Sequence, residues 1–224
     1  MKIHFVTEGS LNEYWENSPE SGFDVLFFGF NGLGDVDYGN ELGGKTSKLE
    51  DAAILSRELG CVIVCGCYTD SRGVKRKSAV VADKGKILGV SDMVNTFEDS
   101  PYAAGGALRV YETSAGKLGI LVAEDLFFPE TAQSLSAFDA DVLLCVFGEI
   151  SDFVPQLMMR ADAFVSGVAV AACAKGSSYI AGVSGEMLMT SPRRESDFSL
   201  SVERQYHIVS RRRRGFTERS PANF

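Results

Sequence analysis

Long apolar runs are missing from this 224-residue chain. Nothing in it approaches the ~18 uninterrupted apolar residues that cross a bilayer, which argues against a membrane span. The start, "MKIHFVTEGS", has no apolar leader core and reads as a first strand, so the expected compartment is the cytoplasm. Histidine is scarce. Only His4 and His207 occur, and neither has a Ser or Cys beside it in a catalytic pattern. Cysteine is present without a metal spacing. Cys61, Cys65 and Cys67 cluster in "CVIVCGCY", Cys145 and Cys173 lie in apolar runs, and no second Cys or His cluster joins them. An odd count inside strand-like segments fits reduced, buried thiols. The glycine-rich "FNGLGDVDYGNELGG" lacks the Lys-Ser/Thr ending of a phosphate loop and is expected as a loop at the mouth of a sheet. Asp35 and Asp37 within it are two acids, too few to define a cation site. No metal and no cofactor is expected.

What is present is the composition of a soluble globular protein: 45% hydrophobic and 23% charged residues, enough for one domain of ordinary size. The net charge of −8 is uneven. Residues 193–224 hold eight arginines against four acids, so the tail is positive and the preceding body strongly negative. The run Arg211–Arg214 can attract phosphate-rich partners. An acidic body without a nucleic-acid motif argues against nucleic-acid binding, and the plainer expectation is a segment that packs back on that body or contacts another subunit.

Along the chain, strands and helices alternate. "KIHFV" and "FDVLFFGF" have the length and composition of strands. "KTSKLEDAAILSRELG" is an amphipathic helix stopped by Gly60. "CVIVCGCY" is a buried strand. "SAVVADKGKILGV" is a hairpin turning at Asp83-Lys84-Gly85, and "LRVYETSAGKLGILVA" is another, turning near Ser114–Gly116. "PETAQSLSAFDA" opens a helix with Pro129 and Glu130 in its first turn. "DVLLCVF" is a strand, "VPQLMMRADAFVSG" a helix, and "VAVAACA", "SSYIAGV" and "EMLMTS" are strands, with "QYHIVS" as a candidate last one. Residues 193–201 are expected as an exposed loop. Apolar strands beside helices imply a sheet covered on at least one face, and the hairpins argue against a purely parallel one. The expected division is 1–192 as the folded domain and 193–224 as a basic tail.

The stretch "GILVAEDLFFPE" (119–130) delivers two adjacent carboxylates, Glu124 and Asp125, from the end of an apolar run. Together with "RKSAVVADKGKILGVSDM" and "RADAFVSGVAVAACAKG" it resembles the nitrilase, or carbon–nitrogen hydrolase, family over roughly residues 24–192. Gly119, Asp125, Phe128, Pro129 and Glu130 fall in register with the family's nucleophile elbow. The resemblance implies an α/β fold, the four-layer α-β-β-α sandwich, in subunits that associate into homo-oligomers. Only about 18 residues separate the first two strands, so the first helix is expected to be short or missing.

The resemblance also implies a Glu-Lys-Cys triad. The thiolate attacks a nitrile or amide carbon, the Glu moves protons and the Lys stabilises the oxyanion. Carried over by register, the nucleophile falls on Ala123, two residues before Asp125. The lysine falls on Met93, eight residues after the hairpin glycine, and the glutamate on Phe30, at the end of "VLFFGF". Slippage does not restore them. No Cys lies between Cys67 and Cys145, no Lys between Lys86 and Lys117, and no Glu between Glu20 and Glu41. The expectation is a catalytically inactive relative that keeps a binding or assembly role, with a small-molecule ligand as a candidate partner and a pocket smaller and drier than an active one. One alternative is an amide or nitrile hydrolase with a site relocated to Glu124 and Asp125, with Asp92 on the facing loop. The other is an interaction module acting through Arg211–Arg214. Asp125 is also expected to support the elbow by hydrogen bonding.

Overall fold

The computed structural model describes residues 1–17 and 21–204. Two mixed sheets lie face to face, each covered by helices on its outer side. In the first, strands run in the order β13-β1-β2-β4-β5-β6, with β3 pairing β4 beyond the end of β2. These strands are β1 (Lys2–Val6), β2 (Val25–Phe28), β3 (Gly34–Asp37), β4 (Val62–Ser71), β5 (Val74–Asp83), β6 (Lys86–Asp92) and β13 (Glu195–Ser199). The second sheet runs β12-β11-β10-β9-β8-β7, from β7 (Val110–Thr113), β8 (Gly116–Val122), β9 (Val142–Val146), β10 (Ala169–Ala174), β11 (Ser177–Ala181) and β12 (Met187–Ser191).

Strand alternation builds the layers. In β2, Val25 and Phe27 enter the core between the sheets, while Leu26 and Phe28 point to the helices outside. In β9, Val142, Leu144 and Val146 point inward between the sheets and Leu143 and Cys145 outward. Both faces of the central strands are therefore apolar, which is why they read as continuous hydrophobic runs. The outer core of the first sheet is completed by Leu11 and Tyr14 of α1 (Leu11–Glu16) and Ala52 and Leu55 of α3 (Lys48–Leu59). That of the second is completed by Ala132 and Leu135 of α4 (Pro129–Ala137) and Met159 and Ala163 of α5 (Val154–Ser166). Three apolar cores in a row define an α-β-β-α sandwich.

Local signals account for the element ends. Gly60 and Gly167 close α3 and α5 in the left-handed conformation. Pro129 starts α4. The first helix is short, six residues, and is held by a capping box between Ser10 and Glu13.

Three expectations change. Residues 193–201 are not a loop: β13 lies antiparallel to β1, from Lys2 opposite Ser199 to Val6 opposite Glu195. Its exposed, polar alternation concealed it, because an edge strand buries one side only. The glycine-rich stretch is not all loop either. It forms β3, parallel to the far half of β4, and the short helix α2 (Tyr38–Leu42), whose N-cap is Asp37 accepting from the Asn40 N–H at 2.7 Å. Asp92 ends β6 rather than sitting in a loop. His4 sits in β1 with Nδ1 2.8 Å from Asp197 and its ring stacked on Phe23. Arg204 folds back on the acidic body, pairing with Asp139 and with Asp141. His207, the "QYHIVS" segment and Arg211–Arg214 lie outside the described residues.

Candidate functional site

Chain positions 30, 93 and 123 share one core. Each follows the end of a strand: Phe30 after β2, Met93 after β6 and Ala123 after β8. All three belong to the core between the sheets, and their exposures are 5%, 0% and 3%. Ala123 begins a short 3-10 helix, Ala123–Phe127, with φ of 50°. A non-glycine residue there is strained, and a strained strand-to-helix turn is how a nucleophile elbow presents its side chain. Ala123 has a backbone of that strained kind, and its side chain is a methyl group.

Asp125 holds that turn. Its carboxylate accepts N–H groups from Val94, Asn95 and Val122 and the Asn95 side-chain amide, the shortest at 2.8 Å. Asn95 Nδ2 also donates to Thr131 of α4 at 2.9 Å. One carboxylate thus ties the loop after Met93 to the elbow and, through Asn95, to the helix behind it. Burial pushes Asp125 up from its usual value to about 6, against the opposing effect of these donors.

Glu124 is engaged differently. It forms an ion pair with Lys77 of β5, and both side chains are about one-fifth exposed. Glu124 Oε2 is buried without a hydrogen-bond partner among the described residues. The Lys77 ammonium also lies 5.4 Å from the centre of the Tyr102 ring, a cation–π distance. Tyr102 stacks on Tyr68, and Tyr68 on Phe30, at centroid separations of 5.6 and 4.9 Å. An aromatic column thus runs from position 30 to the ion pair beside position 123. Asp92 stands apart from Glu124 in its bonding: it accepts from Ser78 Oγ at 2.7 Å, and Ser78 Oγ contacts Thr69 Oγ1 at 2.9 Å. The other oxygen of Asp92 is 3.7 Å from Arg76 Nε.

Lys77, Tyr68 and Tyr102 were not among the residues singled out from the sequence. The signal for Lys77 was partial. Unbroken hairpin pairing from the turn sets residue 77 opposite residue 92, and the bulge between Val81 and Ala82 moves it one place on, so that the Met93 N–H donates to the Lys77 carbonyl at 2.9 Å. The two tyrosines gave no comparable signal, because Tyr102 arrives on an irregular loop. The thiols offer no substitute nucleophile. Burial raises Cys61 and Cys67 to about 12 and holds Cys65, Cys145 and Cys173 protonated as well. Among the described residues no group of three or more His, Cys, Asp or Glu is arranged to hold a metal ion, and no helix is long and apolar enough to cross a membrane.

Two apposed sheets flanked by helices, with a strained elbow at the end of an inner strand, define the class: an α-β-β-α sandwich of nitrilase type. The chain belongs to the carbon–nitrogen hydrolase family, whose profile matches residues 35–210. A nitrilase of Pyrococcus abyssi is 29% identical over 119 residues, which are 52% of this chain and 44% of that protein, so the aligned part spans less than half of the curated relative. Among solved structures, a carbon–nitrogen hydrolase from Helicobacter pylori G27 superposes with a TM-score of 0.69 at 16% identity, covering 85% of each chain. A mutant of the amidase from Nesterenkonia sp. AN1 in complex with butyramide superposes with a TM-score of 0.67 at 19% identity, covering 92% of this chain and 88% of that one. At these identities the structural likeness speaks for the fold.

Proposed function

We propose that this chain is a carbon–nitrogen hydrolase-family protein that does not hydrolyse, and that it keeps the sandwich for binding or assembly. The observation that carries this reading is the joint burial of Phe30, Met93 and Ala123 in one apolar core, at the positions where register with the family calls for Glu, Lys and Cys. Thiol-based acyl transfer needs a nucleophile, a proton carrier and an oxyanion donor within reach of one carbon. Here those places hold a methyl, a thioether and a phenyl ring. The charged groups closest to the task have other partners: one oxygen of Glu124 pairs with Lys77, and Asp125 accepts four N–H donors.

The assembly half rests on α5. Its outer side exposes Val154, Leu157 and Val165, an apolar stripe at helical spacing that a second copy of this chain would cover.

The test is turnover of a panel of small aliphatic amides and nitriles by purified protein, beside Glu124→Gln. The expected result is no product above the buffer control in either. Hydrolysis by wild type that disappears in Glu124→Gln would replace this reading with the relocated site. Sedimentation across a concentration series checks the assembly half. Leu157→Arg is expected to shift the protein toward monomer, and a wild type that stays monomeric throughout removes that half.

A further inference from the structure

Helix α5 turns two polar side chains toward the sheet. Asp162 is 1% exposed, and Ser166, one turn further on, is 5% exposed. Both Asp162 carboxylate oxygens and Ser166 Oγ are buried with no hydrogen-bond partner among the described residues. Buried polar atoms in folded proteins are nearly always paired, so three such atoms on one helix face call for a physical account.

Among the described residues, the elements packed on α5 offer an ionised Asp162 no cation. Helix α5 packs on the 3-10 helix, α4, β10 and β11. The titratable groups on those elements are Glu124 and Asp125, Glu130, Cys173 and Tyr179, and Cys145 of β9 lies in the same apolar core. None is a cation. The single cation on α5, Arg160, gives its Nε to the Gly185 carbonyl at 2.7 Å. Glu130, in the first turn of α4, opposes a second negative charge. An unpaired carboxylate in such a place takes up a proton in preference to ionising.

We infer that Asp162 is a proton-dependent switch for the seating of α5: as the neutral acid it lets the helix lie on α4 and the second sheet, and on ionising it loosens that contact. Burial, with Glu130 acting in the same direction, pushes the Asp162 carboxyl up to about 7. The direction of the linkage follows. The folded chain keeps a proton that the unfolded chain releases near the ordinary aspartate range. The stabilisation is therefore complete at acid pH, declines as pH rises from about 4 through 7, and is gone above that. This inference is independent of whether the chain hydrolyses anything.

The experiment uses the full chain. Denaturant midpoints are measured from pH 4.5 to 8.5 for wild type, Asp162→Asn and Asp162→Leu. Amide exchange is followed in α5 relative to α3, a ratio that cancels the intrinsic pH dependence. The expected wild-type midpoint falls as pH rises toward 7, and the α5/α3 exchange ratio grows at least about tenfold between pH 5 and 8, which is the effect of one unit of pKa shift. Both neutral variants are expected to lose the Asp162 share of that fall, keeping only the part below about pH 6 that Asp125 contributes, and to hold the ratio constant. Glu130→Gln is expected to move the window to lower pH. Equal slopes in wild type and both neutral variants would overturn the inference. So would an Asp162 carboxyl carbon that titrates near 4 in the nuclear magnetic resonance spectrum of wild type, a measurement that stands even if neither variant folds.

Discussion

The Asp125 carboxylate receives the Asn95 backbone N–H at 2.8 Å and the Asn95 side-chain amide at 2.9 Å, binding the elbow of one sheet to the loop that leaves the other. Asp125→Asn retains the shape but halves the accepting capacity. The expected cost is about 1–3 kcal/mol, the penalty for buried N–H donors left unmatched, read as a lower denaturant midpoint. The pH profile carries a second signature. With its carboxyl raised to about 6, folded Asp125 holds a proton that the unfolded chain releases, so this group's contribution falls as pH rises from about 4 to 6. The variant is expected to lose that part of the slope.

Gly66 of β4 is closely packed between the chain after β2 and the facing sheet. A Cβ there would stand 2.8 Å from Phe30 Cα and 2.9 Å from the Gly29 carbonyl carbon, and would also collide with Val146 of the facing sheet. Two of these neighbours are backbone and have no rotamer with which to yield. Gly66→Ala is expected to destabilise by about 1–3 kcal/mol, seen as a lower melting temperature.

Ala123 has a positive φ that glycine adopts without strain. Ala123→Gly is expected to raise stability by up to about 1 kcal/mol. Ala123→Val adds a branched side chain to the same strained backbone and is expected to lower it by about 2 kcal/mol or more. A Gly variant less stable than the Val variant would show that this backbone is not under strain.

Met93 is fully buried. Met93→Lys places an ammonium where the proposed reading puts the lost lysine. An unpaired buried ammonium is expected to cost about 3 kcal/mol or more, measured by denaturant unfolding at pH 7. Stability close to wild type would mean that Glu124 re-pairs with the new ammonium.

Lys77 and Glu124 form a partly exposed pair, so their separate removals are not equivalent to removing both. Lys77→Met leaves Glu124 without its cation and is expected to cost about 1–3 kcal/mol. Adding Glu124→Gln is expected to recover part of that loss, with a coupling of at least about 0.5 kcal/mol in the double-mutant cycle. Strict additivity would mean that the pair contributes nothing.

Much of the fold was legible because its signals are local. Pro129, Gly60 and the Asp83–Gly85 turn act on their own neighbours, and the apolar runs of β2, β4, β9 and β10 follow from burial on both faces. β13 was not legible. A strand with one exposed face and a serine, acid and phenylalanine pattern gains its identity only from β1, nearly two hundred residues away. The same holds for β3, whose single buried side chain is Val36.

In the site, the spacing around "GILVAEDLFFPE" put Ala123 and Asp125 in their relationship before any coordinates, and hairpin register did the same for Met93. Gly66 drew no reading of its own within the buried strand "CVIVCGCY". Its reason is the approach of Phe30 and Val146, which no local pattern reports. Glu124 could have faced solvent or the pocket. Its bonding to Lys77 was decided by a strand from the other sheet.

The sequence alone therefore determined most element boundaries and the pairing of apolar strands with covering helices, because periodicity and turns depend on near neighbours; the four layers and the interest of positions 30, 93 and 123 came from the family resemblance. Only tertiary structure decided what those positions are worth. It stacked Phe30 on Tyr68 and Tyr68 on Tyr102, set Lys77 against Glu124, and left the buried Asp162 of α5 without a hydrogen-bond partner among the described residues. Burial and charge pairing depend on groups brought together from distant parts of the chain, and their energies are set by distance in space rather than in sequence.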